Sequence, residues 1–320
     1  MSVHDIGLWT LRKGTLMHVF VTGASGWIGS HTVDDLLTAG HVVTGLARSD
    51  ASAAALAAKG VGVLRGDLDD LDVIHRGAAE SEGVLHLANK HDFANPAVSD
   101  AAERASIETI GAALAGSDRP FVFAAGVAGL ALGRPATEAD PNPFVGPDAP
   151  RGGGENRGFD FVEQRVRAVA ARFSPTTHGP GDHGFVAYIV ATARQHGVSA
   201  YIGEGTNRWA AVHVTDAARL VRLGLEQAPA DTRMHAVAET GIPTRAIAEA
   251  IGEGLGLPVA SIDPADAPAH FGFIASFFGM DMSATSEATR ELLDWRPTGP
   301  GLLQDIAAGA YFDVRVASAG

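Results

Sequence analysis

The order of apolar and polar positions in the first half of the chain alternates between two kinds of segment. Short apolar runs, many rich in β-branched residues, have the length of strands buried on both faces. Longer stretches place small or apolar residues three or four positions apart, as on one face of a helix. The predicted strands are His18–Thr22, His41–Ala47, Val61–Arg65, Gly83–Ala88 and Phe121–Ala125.

Helical spacing fills the intervals between these strands. The stretch from Gly29 to Gly40 predicts a helix that ends at a glycine cap, and the alanine-rich residues 51–59 predict a second. Ser99 is the predicted N-cap of a third. The apolar face of that helix is expected to carry Ile107, Ile110 and Leu114. Strand, helix and strand in this rhythm predict an α/β fold with a doubly wound parallel sheet.

After residue 126 the pattern loosens. Residues 133–160 are rich in Pro, Gly and Asp and predict a long loop, after which Val166–Phe173 predicts a further strand. Later helices are predicted at Phe185–His196, Val214–Gln227, Thr244–Leu255 and Ser286–Leu293. These would cap the carboxyl ends of the strands, where open α/β sheets bind ligands.

The chain is therefore expected to divide into three parts. Residues 1–16 form an N-terminal extension without an assigned function, and residues 17–178 form the sheet domain. Residues 179–320 form a smaller substrate-binding region, from which about 206–236 return to the sheet domain.

Composition narrows the classes of partner. The 320 residues carry a net charge of −13, so nucleic acid and anionic membrane surfaces are disfavoured and a small-molecule substrate is expected. Cysteine is absent, which excludes disulfides and thiolate catalysis, and the default compartment is the cytoplasm. No apolar run has the length of a membrane-spanning helix. A monomer or a homodimer is expected.

The motif VTGASGWIG follows the first predicted strand and opens the first helix. Gly23 permits the tight turn, Gly26 lets the backbone approach a pyrophosphate, and Gly29 packs the helix against the strand. The helix N-terminus adds free N–H donors and a positive dipole end. The motif predicts a nucleotide site, and the alternative is a glycine-rich turn without a ligand.

The end of the second strand indicates which dinucleotide is bound. An NAD site places a carboxylate about 20 residues past the glycine motif to hold the ribose 2′-hydroxyl. Here Arg48 and Ser49 stand at that place, and a guanidinium pairs with a 2′-phosphate. Asp50 is the competing carboxylate but lies beyond the strand end. NADP(H) is therefore predicted over NAD.

Five motifs together resemble the extended and atypical short-chain dehydrogenase/reductases of the sugar-nucleotide epimerase/dehydratase superfamily. They are TGASGWIG, GDLDD (66–70), HLAN (86–89), HGPGD (178–182) and VHVTDAA (212–218). The resemblance runs from residue 17 to about 310 and implies an NADP-binding Rossmann domain. It implies that Asp67 and Leu68 contact adenine. The other implied cofactor contacts are Gly23, Ser25, Gly26, Trp27, Ile28, Leu87, Ala88, Asn89, Lys90, Ala124, Ser174, Pro175 and Thr176.

The usual acid and base of this superfamily are missing. Its members usually hold a Ser or Thr at the end of strand five and a Tyr-x-x-x-Lys pair on the next helix. Here strand five ends in Ala124, Ala125 and Gly126, and the following segment is PRGGGENRGFDFVEQ. The tyrosines, 188, 201 and 311, all lie downstream, and the lysines are 13, 59 and 90.

A few residues are weak candidates to replace that pair. Lys90 is placed to hold the ribose or polarise a carbonyl, or it is a solvated loop lysine. His91 is a candidate substrate contact or part of a turn. His178 and His183 are either cleft residues or structural hydrogen-bonding groups, and no metal site is expected. Asp216 is expected to cap the helix that follows it.

The stretch FGFIASFFGMDM, residues 271–282, is expected to place Phe273, Phe277 and Met280 on one helix face. That face is either core or the wall of a substrate pocket. With Ala125 and Gly126 as a small floor, such a pocket suits a flat aromatic substrate. Arg208 and Trp209 either hold a polar edge of it or pack against the sheet.

These patterns favour an NADPH-dependent ketoreductase of a hydrophobic, aromatic polycyclic compound, with the proton taken from water or from the substrate. Atypical ketoreductases of antibiotic biosynthesis, the simocyclinone type included, are similar in lacking the acid–base pair. The alternatives are a sugar-nucleotide epimerase or dehydratase, which the missing tyrosine disfavours, and a non-catalytic NADP-sensing protein.

Overall fold

The computed structural model of the chain describes residues 16–92 and 95–312; the predicted extension, apart from exposed Leu16, lies outside them. The strands are β1 (His18–Thr22), β2 (Val42–Ala47), β3 (Gly62–Arg65), β4 (Gly83–His86), β5 (Pro120–Gly126), β6 (Arg167–Phe173), β7 (Thr176–His178), β8 (Ser199–Ile202), β9 (Arg208–His213), β10 (Thr232–Ala236), β11 (Glu239–Pro243) and β12 (Val259–Ile262). The helices are α1 (Trp27–Thr38), α2 (Asp50–Ala58), α3 (Leu71–Ala79), α4 (Pro96–Leu114), α5 (Gly154–Phe159), α6 (Phe185–His196), α7 (Val214–Gln227), α8 (Thr244–Leu255), α9 (Ala267–Phe271), α10 (Ala275–Phe278), α11 (Glu287–Leu293) and α12 (Leu302–Ala307).

Seven strands form one parallel sheet in the order β10-β6-β5-β4-β1-β2-β3. The predicted α/β fold with a doubly wound parallel sheet is therefore confirmed. The chain leaves β1 toward β2 on one side and later returns to β4 on the other. This reversal opens a crevice at the carboxyl ends of β1 and β4, where such sheets bind ligands.

The two largest of the four apolar cores among the described residues lie in different parts of the molecule. One lies along the sheet, where α1 and α7 cover one face and bury Val19, Leu36 and Leu220. The other joins α6, α8, α10 and α12 around Trp209 and Phe278, beside the small β11-β9-β7 sheet. Within the described ranges, no helix is both long enough and apolar enough to span a membrane.

Three local predictions are wrong. Helix α4 begins at Pro96 with Asn95 as its N-cap, so Ser99 lies inside the helix rather than at its cap. The predicted loop over 133–160 contains a 3₁₀ turn at Pro150–Gly153 followed by α5. Asp216 does not cap α7: His213 is the N-cap, and the Asp216 carboxylate accepts N–H bonds from Thr298 and Gly299, at 2.9 and 2.7 Å.

A charged network is buried beneath the edge of the sheet. Arg172 of β6 donates to both carboxylate oxygens of Glu155, at 3.0 Å from Nε to Oε2 and 2.5 Å from Nη2 to Oε1. Arg172 also donates from Nη1 to Nε2 of His235 at 3.3 Å, while His235 Nδ1 donates to the Thr285 carbonyl at 2.8 Å. This pattern requires a neutral imidazole, and burial lowers the pKa of His235 accordingly.

We expect acid to destabilise the fold through His235. Below pH 6.5 the unfolded chain protonates this imidazole, whereas the folded chain does not until its lowered pKa is reached, so stability falls as the pH falls through that window. In urea unfolding between pH 5 and 7, His235→Asn should show a shallower pH dependence than the wild type, by up to about 1.4 kcal/mol per pH unit. The exposed His75→Asn is the control, and parallel curves for His235→Asn and the wild type would contradict the assignment.

Candidate functional site

The glycine motif forms a close-packed turn between β1 and α1. Gly23 has a φ of +69°, and a Cβ there would lie 2.7 Å from the backbone N of Ala88. A Cβ on Gly29 would lie 2.0 Å from the Gly23 carbonyl oxygen. Gly26 is the N-cap of α1 and has no side chain to fill the space before the first helical N–H groups. The turn thus leaves backbone donors accessible to a pyrophosphate, as a dinucleotide requires.

The end of β2 is followed by Arg48, a positively charged side chain that can bind a ligand. The side chain of Arg48 is exposed and makes no hydrogen bond or ion pair with the described residues. Asp50, the competing carboxylate, pairs with Arg65 at 2.9 Å. Ser49 is the N-cap of α2, where its hydroxyl accepts the N–H of Ser52 at 3.1 Å. This corner therefore has the charge that suits a phosphate better than a ribose hydroxyl.

An apolar groove with a volume of about 470 Å³ lies beside the turn after β3. Leu68 lines the groove, and Asp67 lies one residue before it, with its carboxylate accepting the N–H of Asp69 at 2.8 Å. Lys90 also lines it and contacts both carboxylate oxygens of Asp69 at 2.7 Å. The other lining residues are Asp69, Leu71, Ala97, Val98, Ala101, Ala102 and Ala105. The groove has the apolar lining that a flat base requires. The Lys90 ammonium at its rim is paired with Asp69.

The carboxyl ends of β4 and β5 form the rest of the cleft. Leu87, Ala88 and Asn89 follow β4, and Ala124, Ala125 and Gly126 end β5 without a hydroxyl. The hydroxyls of Ser174 and Thr176, on either side of Pro175, donate to the carbonyls of Ala236 and Ala210, at 2.7 and 2.8 Å. On the α1 side, Trp27 and Ile28 are half-buried, and the Trp27 ring lies 6.2 Å from that of His183.

The segment without tyrosine holds an arginine over the end of β5. Arg151 donates from Nη2 to Glu103 at 2.6 Å and to the Ala124 carbonyl at 3.0 Å. Glu103 is buried and accepts a second bond from the Asn89 amide at 2.8 Å. Arg151 was absent from the sequence-based candidates. The available signal was Glu103, a carboxylate on the face of α4 that also carries buried Ile107, Ile110 and Leu114.

Three consecutive left-handed residues explain the glycines of this segment. Arg151, Gly152 and Gly153 have φ values of +58°, +60° and +62°. A Cβ on Gly152 would lie 2.4 Å from the Asp100 carbonyl oxygen, and one on Gly153 would lie 2.6 Å from that of Gly146. Glycine is the residue that adopts this backbone without strain and permits such close packing. The turn brings the Arg151 N–H to the Asp100 carboxylate at 2.7 Å and its side chain to Glu103.

Among the candidate histidines, His91 and His178 lie in different environments. His91 is at the cleft, where desolvation lowers the pKa of its imidazole and the nearby Arg151 lowers it further. His178 is buried in β7, with Nδ1 bonded to the Asp305 carboxylate at 2.6 Å. The cleft therefore brings together His91, Arg151 and Glu103, while His178 lies beneath α12.

The aromatic stretch is not one helix. Gly272 has a φ of +62° and ends α9; Phe273 lies in the 3₁₀ turn that follows, Phe277 in α10 and Met280 beyond α10, so the three residues do not lie on one regular helix. Phe277 packs with Phe185 at 5.0 Å between ring centroids, and Phe273 packs with Tyr188 at 5.1 Å.

The residues around this stretch lie against the second core. Trp209 is fully buried there, and its indole N–H donates to the Phe277 carbonyl at 3.3 Å. Ala128, which follows β5, packs against the same core.

The doubly wound sheet with a glycine turn at its switch point defines a Rossmann-fold protein. The model of the NAD dependent epimerase/dehydratase family matches residues 19–113. The chain is 45% identical over 297 residues to an uncharacterized protein of Schizosaccharomyces pombe, covering 92% of this chain and 100% of that protein. It is 42% identical over 299 residues to an uncharacterized protein of Saccharomyces cerevisiae, covering 91% and 98%. The chain belongs, with these relatives, to the NAD dependent epimerase/dehydratase family.

A solved structure shares the fold over nearly the whole chain. The dTDP-glucose 4,6-dehydratase of Streptomyces venezuelae, solved with NAD bound, superposes with a TM-score of 0.73 at 20% identity. The match covers 92% of this chain and 96% of that protein. At this identity the likeness establishes the fold.

Proposed function

We propose that the protein is an NADPH-dependent reductase of a hydrophobic, aromatic ketone. The observation that carries the proposal is a dinucleotide cradle beside a cleft floor of Ala125 and Gly126, without the family's hydroxyl, tyrosine or lysine. A sugar-nucleotide epimerase or dehydratase has to move protons at the substrate, and this floor has no group to do so. Hydride transfer alone needs positioning more than a protein acid.

The geometry supports a set of residues that would hold the cofactor. The turn from Gly23 to Ile28 would hold the pyrophosphate, Arg48 the 2′-phosphate, and the groove at Leu68 the adenine. Leu87, Ala88 and Asn89, with the Ser174–Thr176 turn, would border the nicotinamide and its ribose. When bound, NADPH supplies the hydride.

The proposed substrate wall is apolar. Phe273 and Phe277 extend the Phe185–Tyr188 cluster, which reaches β5 through Ala128. Phe273 is 39% exposed, so this cluster presents aromatic surface to solvent. A planar ring is the ligand that such a surface favours.

The test is ketone-dependent oxidation of NADPH, followed at 340 nm with 2′-hydroxyacetophenone as the probe. We expect kcat/KM with NADPH to exceed that with NADH at least tenfold, because Arg48 has no other partner among the described residues. Arg48→Ala should remove that preference, while the exposed Arg76→Ala should keep it. Absence of ketone-dependent oxidation would support a non-catalytic NADP-binding protein, and a preference for NADH would overturn the cofactor assignment.

A further inference from the structure

We propose that Arg151 forms an oxyanion site in the cleft and binds the carbonyl oxygen of the substrate in place of the family's tyrosine. The inference deepens the proposed function and rests on it for the reaction, although the site itself is defined by Arg151 and its neighbours. Its ligand class is an aromatic compound that carries a carbonyl or carboxylate oxygen.

The position of the guanidinium supports this role. Its bond to the Ala124 carbonyl places it at the carboxyl end of β5, the strand end that carries the hydroxyl in other family members. The side chain is 40% exposed, whereas its partner Glu103 is 2% exposed. Only Nη2 is used for the two bonds, and the N–H groups of Nε and Nη1 have no acceptor among the described residues. A fixed cation therefore keeps donors available to a ligand.

Contacts of both the backbone and the side chain hold Arg151 in place. Its backbone is left-handed, which is unfavourable for a residue with a Cβ, and such conformations concentrate at functional sites. The Asp100 carboxylate holds its N–H, and Glu103 is itself held by Asn89. Donors fixed before the substrate binds are the arrangement that stabilises developing negative charge.

The chemical step balances with NADPH and one proton. The carbonyl carbon gains the hydride, and the C=O π pair becomes a lone pair on oxygen, whose negative charge the Arg151 N–H groups bind. That oxygen then takes a proton from water or from a neighbouring hydroxyl of the substrate, leaving the alcohol and NADP⁺. Arg151 keeps its own proton, because a guanidinium does not deprotonate in a protein.

The first test measures binding without turnover. Salicylate, whose carboxylate stands in for the oxyanion, is titrated by calorimetry into the protein saturated with NADP⁺. We expect Arg151→Ala and Arg151→Lys to weaken salicylate binding at least tenfold, with NADP⁺ affinity changed less than threefold. Arg151→Lys keeps the charge opposite Glu103 and so preserves the fold, but it loses the planar fork. Arg157→Gln is the matched control, since Arg157 pairs with Glu108 and Asp160 in the same segment.

The second test uses the reaction. Arg151→Ala should lower kcat for 2′-hydroxyacetophenone by 10²- to 10³-fold, the loss typical of one oxyanion donor, and added guanidinium should restore part of it. Unchanged salicylate binding in both Arg151 variants, or no binding to the wild type, would overturn the oxyanion site. Salicylate binding that depends on Arg151, in a protein that reduces no ketone, would leave the site standing and overturn the proposed function.

Discussion

Replacing Gly29 with alanine is expected to destabilise the protein by about 3 kcal/mol and to weaken NADPH binding at least 100-fold. The new methyl group would lie 2.0 Å from the Gly23 carbonyl oxygen and 3.2 Å from the Ala24 Cα. Both are backbone atoms, so relief requires α1 to move away from the turn. In a solvent-exposed helix a change from glycine to alanine stabilises the fold by up to about 1 kcal/mol. A loss of stability in Gly29→Ala would therefore show that the methyl group meets the Gly23 carbonyl.

Denaturant unfolding and NADPH fluorescence titration measure the two effects of Gly29→Ala. Ser30→Ala, at the next helical position, is the control and should change neither quantity by more than a few tenths of a kcal/mol. In Gly26→Ala the Cβ would lie 3.2 Å from the Gly23 oxygen, a contact that small shifts relieve. That variant should keep its stability and lose cofactor affinity. Wild-type stability and affinity in Gly29→Ala would contradict the described packing of the turn.

The second large effect concerns the substrate. If the neighbouring hydroxyl of the substrate donates the proton, 2′-hydroxyacetophenone should be reduced 10²- to 10⁴-fold faster than its methyl ether, 2′-methoxyacetophenone, because a dedicated acid is worth about that factor. Borohydride reduction of the same pair corrects for their intrinsic reactivity. Equal corrected rates would show that the ortho hydroxyl is not the proton source.

Variants of the protein complete this comparison. Single alanine substitutions of Lys90, His91, His178 and His183 should each leave reduction of the hydroxyl substrate largely intact. Lys90 is paired with Asp69, and His178 is buried against Asp305. A 100-fold loss in Lys90→Ala or His178→Ala, with NADPH binding preserved, would instead identify a protein acid.

The sequence predicts the long periodic elements well. Helices α6, α7 and α8 begin and end at the predicted residues because each repeats its apolar spacing over twelve or more positions. The predicted start of α4 is wrong, because Ser99 is predicted as the N-cap. Asn95 followed by Pro96 is itself a signal for a helix N-terminus, and the helix begins there. The aromatic stretch divides into α9, a 3₁₀ turn and α10, and the apolar pattern does not show where these short elements end.

The candidate site was predictable only in its local parts. The glycine turn and Arg48 are each read from contiguous residues, because each proposed cofactor contact uses nearby backbone or one side chain. The pairing of Arg151 with Glu103 joins residues 48 positions apart, and they meet because α4, between β4 and β5, packs against the 3₁₀ turn that lies between β5 and β6. The buried bond between Arg172 and Glu155 likewise depends on how α5 packs on β6.

We propose above all that this cleft transfers hydride from NADPH to a ketone. The most direct measurement uses NADPH carrying deuterium at one or the other C4 position, with 2′-hydroxyacetophenone as the acceptor and mass spectrometry of the product. We predict an alcohol labelled at the carbinol carbon from one C4 epimer and unlabelled from the other. A protein that saturates with NADPH yet forms no alcohol, or forms alcohol without deuterium from either epimer, would contradict the account.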